Sequence, residues 1–222
     1  MADIVLIAGG FHGGWYFDPI VDGLEAAGHS VIAPTLPGLE PNARADALVN
    51  LDMHINAVLH VIAQRRLKAV VLVGHSYAGA VITGVAALAP DNISQLIHLD
   101  SVIPRSGQSV WELVSTEIQS ALLSACDDGF TVAPDPGLKA VDPRVVGHPI
   151  ATFLQRLHFD EKSLSMPKRY FSAADGPYTN VYRSLVGTDG WECTSHPFGH
   201  DLLREAPEAV LEYLLARMPG RT

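Results

Sequence analysis

The chain opens on a continuous apolar run, residues 4–8, that stops abruptly at Gly9-Gly10. A run without polar alternation fits a strand buried on both faces, as in a parallel sheet covered by helices. The rhythm then repeats. A helical pattern ending at Ala26-Ala27-Gly28 precedes a second strand over residues 29–34, and Gly28 suits the left-handed residue that closes a helix. Ile55, Val58, Leu59 and Ile62 fall at helical spacing behind Asp52, a candidate N-cap. Residues 69–73 form the strongest strand, which runs into Gly74-His75-Ser76-Tyr77-Ala78-Gly79 and a small-residue helix over 80–88. Another strand, 95–99, empties into Asp100-Ser101-Val102-Ile103-Pro104; strand character returns at 168–173 and near Trp191, and 207–218 closes as an amphipathic helix. Strands alternating with helices predict an α/β fold built on a mostly parallel sheet.

Between residues 105 and 166 the rhythm changes. Helical patterns around 111–125 and 150–157 flank a Pro/Gly/Asp-rich stretch at 134–143. The expected organisation is one core, 1–104 with 167–222, and a lid inserted over 105–166. A length of 222 residues suits this, because domains average ~150 residues and a single one of this size needs no second core.

Composition narrows the partners. Hydrophobic residues make up 48% and charged residues 18%, enough apolar surface for a core. Fifteen Lys and Arg against 24 Asp and Glu leave a net charge of −9, which disfavours nucleic acid and anionic membrane as partners. No apolar run reaches the ~20 residues of a membrane span, and the first residues lack the basic region of a signal peptide. A cytoplasmic protein, monomer or homodimer, is expected. Cys126 and Cys193 are too few for a disulfide framework or a cysteine-built zinc site, and buried, reduced thiols are expected. His54 and His60 lie six apart and do not share a helix face. No metal and no cofactor are expected.

The chemistry gathers at the turns. Gly74-His75-Ser76-Tyr77-Ala78 has the strand–turn–helix context of a nucleophile elbow, in which small residues two before and two after the serine relieve crowding. A serine hydroxyl needs a base, and this architecture supplies its partners in the order Ser, acid, His. His200, in Gly199-His200-Asp201, is preferred over His196, while His75 is expected to point away from Ser76 and act structurally. The acid is Asp100, after one strand, or alternatively Asp175, after the next; Asp100 is preferred. The oxyanion donors are the N–H groups of Tyr77 and of Gly10, in the glycine-rich loop after the first strand. Phe11, His12 and Trp111 are the expected pocket residues, and His29, His54, His60, His98, His148 and His158 are given no specific role. The glycine-rich loop lacks a full G-x-G-x-x-G, and no acid ends the next strand, so a dinucleotide site is set aside.

Gly10-Phe11-His12-Gly13-Gly14-Trp15, Leu24-Glu25-Ala26-Ala27-Gly28-His29, Leu72-Val73-Gly74-His75-Ser76-Tyr77, Leu99 to Pro104, Gly107-Gln108-Ser109 and Gly199-His200-Asp201 together resemble the α/β-hydrolase superfamily. The similar branch is that of small esterases including salicylate-ester hydrolases, hydroxynitrile lyases and bacterial pyrethroid or carbamate hydrolases. One departure is Ala8-Gly9, where the branch usually carries His-Gly. The resemblance implies the α/β-hydrolase fold and also bears on the acid: plant members resemble users of the position of Asp175, bacterial relatives users of that of Asp100.

The expected activity is hydrolysis of a small hydrophobic or aromatic carboxylic ester, or a related carbamate or amide, through an acyl-enzyme. The lid contributes Trp111, Leu113, Ile118, Leu122, Leu123, Phe153 and Leu157 to substrate binding or to its own packing. One alternative is a hydroxynitrile-lyase-type reaction on the same triad, for which Lys139 and Lys162 are the lid lysines available. The other is a non-catalytic small-molecule-binding protein on a hydrolase shell.

Overall fold

The computed structural model describes residues 1–41 and 48–218. The first half of the core runs β1 (Asp3–Ile7), α1 (Asp18–Ala26), β2 (Ser30–Ile32), α2 (Leu51–Arg65), β3 (Val70–His75), α3 (Ala78–Leu88) and β4 (Ile93–Leu99). The chain then leaves the sheet for β5 (Gln108–Ser109), α4 (Thr116–Ser124), β6 (Thr131–Val132), α5 (Pro136–Val141), β7 (His148–Pro149), α6 (Ala151–Leu154) and β8 (Arg156–Leu157). It returns through β9 (Lys168–Ala173), α7 (Thr179–Leu185), β10 (Trp191–His196), α8 (Leu202–Glu205) and α9 (Pro207–Leu215).

Among the described residues six strands form one sheet in the order β10-β9-β4-β3-β1-β2, and every pairing in it is parallel. β3 is buried along its whole length, as its unbroken apolar sequence requires, because α2 and α3 cover one face while α1 and α9 cover the other. Helix α3 is apolar all round and buried from Ala78 to Ala86, the pattern of a helix enclosed on every side. The order reverses beside β1: the chain first moves outward to β2, then crosses back to β3. In open parallel sheets, ligands bind at the carboxyl ends of strands where the connections diverge in this way. The loops after β1 and β3 flank that crevice.

Some boundaries differ from expectation, each for a local reason. β2 stops at Ile32, since Pro34 has no N–H for the ladder. Asn50, not Asp52, caps α2 by accepting the Met53 N–H at 3.0 Å. In the insertion, Ser115 caps a helix that begins only at Thr116, and the Pro/Gly/Asp-rich stretch holds the helix α5, capped by Asp135. The helix expected over 150–157 ends at Leu154, and its remainder pairs as β8 with β5. Cys126 and Cys193 are free and half-buried rather than buried.

Four histidines, His54, His75, His98 and His148, lie inside the protein. Desolvation lowers all four, His54 to about 4, His98 to about 3, and His75 and His148 well below the ordinary value. An unfolded chain takes up protons near 6.5 that the folded one refuses, so these groups favour folding above 6.5 and lose that advantage as pH falls. Chemical denaturation should therefore give a stability plateau above pH 7 and a decline from pH 6.5 towards 4. The expected slope is about 1 kcal/mol per pH unit for each buried histidine; a flat profile across that window would contradict neutral burial.

Candidate active site

β3 ends at His75, and the next residue must reverse the chain into α3. Ser76 does this at φ +56, in the left-handed region where a non-glycine residue is strained by ~1–3 kcal/mol. The strain is held by neighbours: the Ser76 N–H donates to the Leu99 carbonyl, and the Ser76 carbonyl accepts from Gly79 and Val102, each at 3.2 Å. Small residues are needed here for a checkable reason. A Cβ on Gly79 would lie 1.9 Å from the Val102 carbonyl oxygen, and one on Gly74 would lie 3.0 Å from that of Ala78. The position with least room is thus Gly79, three residues after the serine.

The loop carrying His200 joins β10 to α8. Its Nε2 lies 2.9 Å from Ser76 Oγ, and its Nδ1 lies 2.6 Å from Asp100 Oδ2. A carboxylate can only accept, so Nδ1 carries the proton and Nε2 is left bare to accept from the serine hydroxyl. Asp100 is fully buried at the end of β4, and its other oxygen accepts the Ala173 N–H at 3.2 Å. These bonds offset the desolvation of a buried carboxylate. Asp175 is exposed, and its backbone N–H goes to Phe198. His196 stacks on Phe171 at 3.9 Å between ring centroids and hydrogen-bonds with Thr194. The structure brings Ser76, His200 and Asp100 together and leaves Asp175 and His196 outside the cluster.

His75 is closer to this chemistry than expected. Its Nε2 meets the His200 carbonyl at 2.8 Å, and its ring stacks on Tyr16 at 4.9 Å. A carbonyl can only accept, so His75 is an Nε2–H tautomer that fixes the backbone of the His200 loop.

Ser76 and His200 open into a cavity of about 280 Å³, just below the ~300–1,000 Å³ usual for small-molecule sites. Gly10, Phe11, His12 and Tyr77 line it, together with Ile118, Leu122 and Phe153 from the insertion. Trp111 does not line it; it packs against the core, with its backbone N–H on the Phe153 carbonyl. Val114, Leu138 and Tyr178 were missed by sequence reasoning. Val114 and Leu138 have no motif to mark them, whereas Tyr178 carries a faint signal, following Asp175-Gly176-Pro177 beyond a strand end. Burial pushes the Tyr178 phenol up to about 12, so it faces the site as a neutral hydroxyl. Lys139 and Lys162 are exposed and absent from the lining. A neighbouring hollow shares His12, Tyr16, Leu138 and Asp201 but contains neither Ser76 nor His200.

Gly9 packs so closely that a Cβ there would lie 2.8 Å from Ser76 Cβ, which puts the β1 loop directly beside the serine. His12 Nδ1 lies 2.7 Å from the Gly10 carbonyl and, since a carbonyl can only accept, donates to it. Among the described residues no group of three or more His, Cys, Asp or Glu side chains is arranged to hold a metal ion. No helix among them is long and apolar enough to cross a membrane.

The profile of the Alpha/beta hydrolase family matches residues 4–220. A carbendazim hydrolyzing esterase of Nocardioides sp. (strain SG-4G) is 31% identical over 240 residues, spanning 97% of this chain and 99% of the relative. A pyrethroid hydrolase of Sphingobium wenxiniae is 33% identical over 108 residues, spanning 48% of this chain and 38% of that protein. Among solved structures, an extracellular alpha/beta-hydrolase from a Paenibacillus species, described as sharing structural and functional homology with tobacco salicylic acid binding protein 2, superposes with a TM-score of 0.87. It is 22% identical over 99% of this chain and 100% of its own. A pyrethroid hydrolase from Sphingobium faniae JZ-2 superposes with a TM-score of 0.82 at 24% identity, over 97% and 96% of the two chains.

Proposed function

This chain belongs to the alpha/beta hydrolase family and is an ester hydrolase, and from that premise we propose that it is a serine hydrolase whose triad is Ser76, His200 and Asp100. The observation that carries the proposal is the unbroken chain of two hydrogen bonds from Ser76 Oγ through the His200 ring to Asp100, 2.9 Å and 2.6 Å long.

In the mechanism, His200 Nε2 takes the Ser76 proton as Oγ attacks the ester carbonyl. The imidazolium that forms is stabilised by the buried Asp100 carboxylate. Charge builds on the former carbonyl oxygen, which the Gly10 and Tyr77 N–H groups receive; one such donor is worth ~3–4 kcal/mol of barrier. His200 then returns the proton to the leaving alcohol. Water, deprotonated by the same imidazole, releases the acid from Ser76.

The substrate in this proposal is a small ester with hydrophobic or aromatic parts, or a related carbamate or amide. Val114, Ile118, Leu122, Leu138 and Phe153 give the cavity an apolar wall, and the hydrolysis of carbendazim and pyrethroids by the relatives so named is in keeping with it. Residues 105–166 serve as the lid over the core of 1–104 and 167–222, since all five of those wall residues belong to the segment between β4 and β9.

Three measurements test the proposal. A fluorophosphonate should label Ser76 stoichiometrically, and p-nitrophenyl esters should give a burst followed by turnover. Across an ester series, kcat/KM should rise with apolar acyl size until the cavity is filled, then fall. Absence of both label and burst would favour a binding protein; labelling without hydrolysis of any ester would favour the lyase reaction.

A further inference from the structure

Two buried histidines, one from the core and one from the insertion, stand directly behind the residues assigned to the oxyanion hole. His148, on β7, meets the Phe11 N–H with Nδ1 at 3.2 Å and Thr152 Oγ1 with Nε2 at 2.7 Å. An amide N–H can only donate, so Nδ1 is bare and Nε2 carries the proton. Thr152 passes the direction on by donating to the Pro149 carbonyl at 2.8 Å. His54, on α2, meets the Pro37 carbonyl with Nε2 at 2.9 Å and the Tyr77 hydroxyl with Nδ1 at 2.9 Å. A carbonyl can only accept, so here too Nε2 carries the proton and Nδ1 accepts, from the phenol. The rings pack together: His148 lies 4.8 Å from Tyr77 and 6.0 Å from His54.

The backbone at Phe11 explains why this matters. Phe11 sits at φ +70, a conformation that costs a bulky residue energy and persists only where its surroundings enforce it. Both of its backbone groups are tied to the insertion: the N–H to His148 and the carbonyl to the Val146 N–H at 3.1 Å. The peptide between Gly10 and Phe11 is therefore held at both ends, its N–H by His148 of the insertion and its carbonyl by His12 of the β1 loop itself. Gly10, whose N–H is the assigned donor, immediately precedes that peptide.

We propose that His148 is a positioning residue for ester hydrolysis: its Nδ1 holds the Phe11 N–H and thereby orients the Gly10 N–H at the oxyanion hole, while His54 does the corresponding work on Tyr77 through the phenol. The proposal rests on the serine-hydrolase reading above. It makes the insertion part of the machinery that stabilises the developing charge, besides being a wall of the cavity.

Asparagine and glutamine separate the two ring nitrogens. Asn places its oxygen where Nδ1 stands, and Gln places its amide where Nε2 stands. His148→Gln should keep a donor for Thr152 but lose the acceptor for Phe11. The expected result is a ~10–100-fold lower kcat, below the full loss of an oxyanion donor because this donor is displaced and not deleted, with KM within about threefold. His148→Asn should recover most of that turnover. Independently of activity, exchange of the Phe11 amide hydrogen should be slow in the wild type and in His148→Asn and at least ~10-fold faster in His148→Gln. If the His148 variants do not fold, Thr152→Val, which removes the partner that sets the tautomer, should show the same kcat loss and Thr152→Ser should restore it. Unchanged kcat in His148→Gln, a KM rise matching the kcat loss, or an undisturbed Phe11 amide would overturn the proposal. Ser76→Ala run alongside separates the two levels: full activity there would refute the serine mechanism, whereas its inactivity beside a fully active His148→Gln would refute the role of His148 alone.

Discussion

Replacing Ser76 by alanine should lower kcat for p-nitrophenyl esters by at least ~10⁴-fold, the scale on which loss of a nucleophilic serine leaves only binding and oxyanion stabilisation behind. Only Oγ is removed. The Cβ that packs against Gly9 remains, and the backbone bonds to Leu99, Gly79 and Val102 that hold the turn do not involve the side chain. Thermal stability should accordingly stay within a few degrees of the wild type, and fluorophosphonate labelling should vanish. A variant that retained wild-type turnover would remove Ser76 from the mechanism.

The second large effect distinguishes the two aspartates. Asp100→Asn should cost ~10⁴-fold in kcat, because the carboxamide can turn its NH2 towards His200 Nδ1. That favours the tautomer with the proton on Nε2, which can no longer accept from Ser76. Asp175→Asn should change kcat by no more than about threefold, since Asp175 is exposed and bonds to Phe198 through its backbone N–H. The opposite ranking would move the acid to Asp175 and would require the loop after β9 to rearrange around the site.

The sheet and the serine turn could be read from the chain because each rests on local constraints. Buried parallel strands need uninterrupted apolar runs such as 70–73, and the turn at Ser76 needs small neighbours wherever a Cβ has no room. The preference for Asp100 over Asp175 had no such local constraint behind it. Both follow strand ends, and the difference arises from Asp100 entering the positive-φ region at +38, which aims its carboxylate inward beneath His200. No short-range pattern encodes that. The insertion was less legible still: its strands are two residues long, and α4 and α5 start at caps, Ser115 and Asp135, that look like ordinary loop residues. His148 was passed over as a histidine without a role, since its partner Phe11 lies 137 positions away. Trp111 drew attention by its size, yet it serves packing, while the smaller Val114 three residues on reaches the cavity.

The ties between Phe11 and residues 146 and 148 divide the insertion into two parts that are unequally free to vary. Helices α4 and α5 touch the cavity through Ile118, Leu122 and Leu138 alone, so exchanging them for the equivalents of a related protein would alter which molecules are accepted without disturbing the reaction steps. The stretch that includes β7 and α6 has no such licence, since a graft there would disorganise the β1 loop. Chimeras with crossovers on either side of Val145 would separate substrate preference from rate, and natural diversification of the family has the same seam available to it.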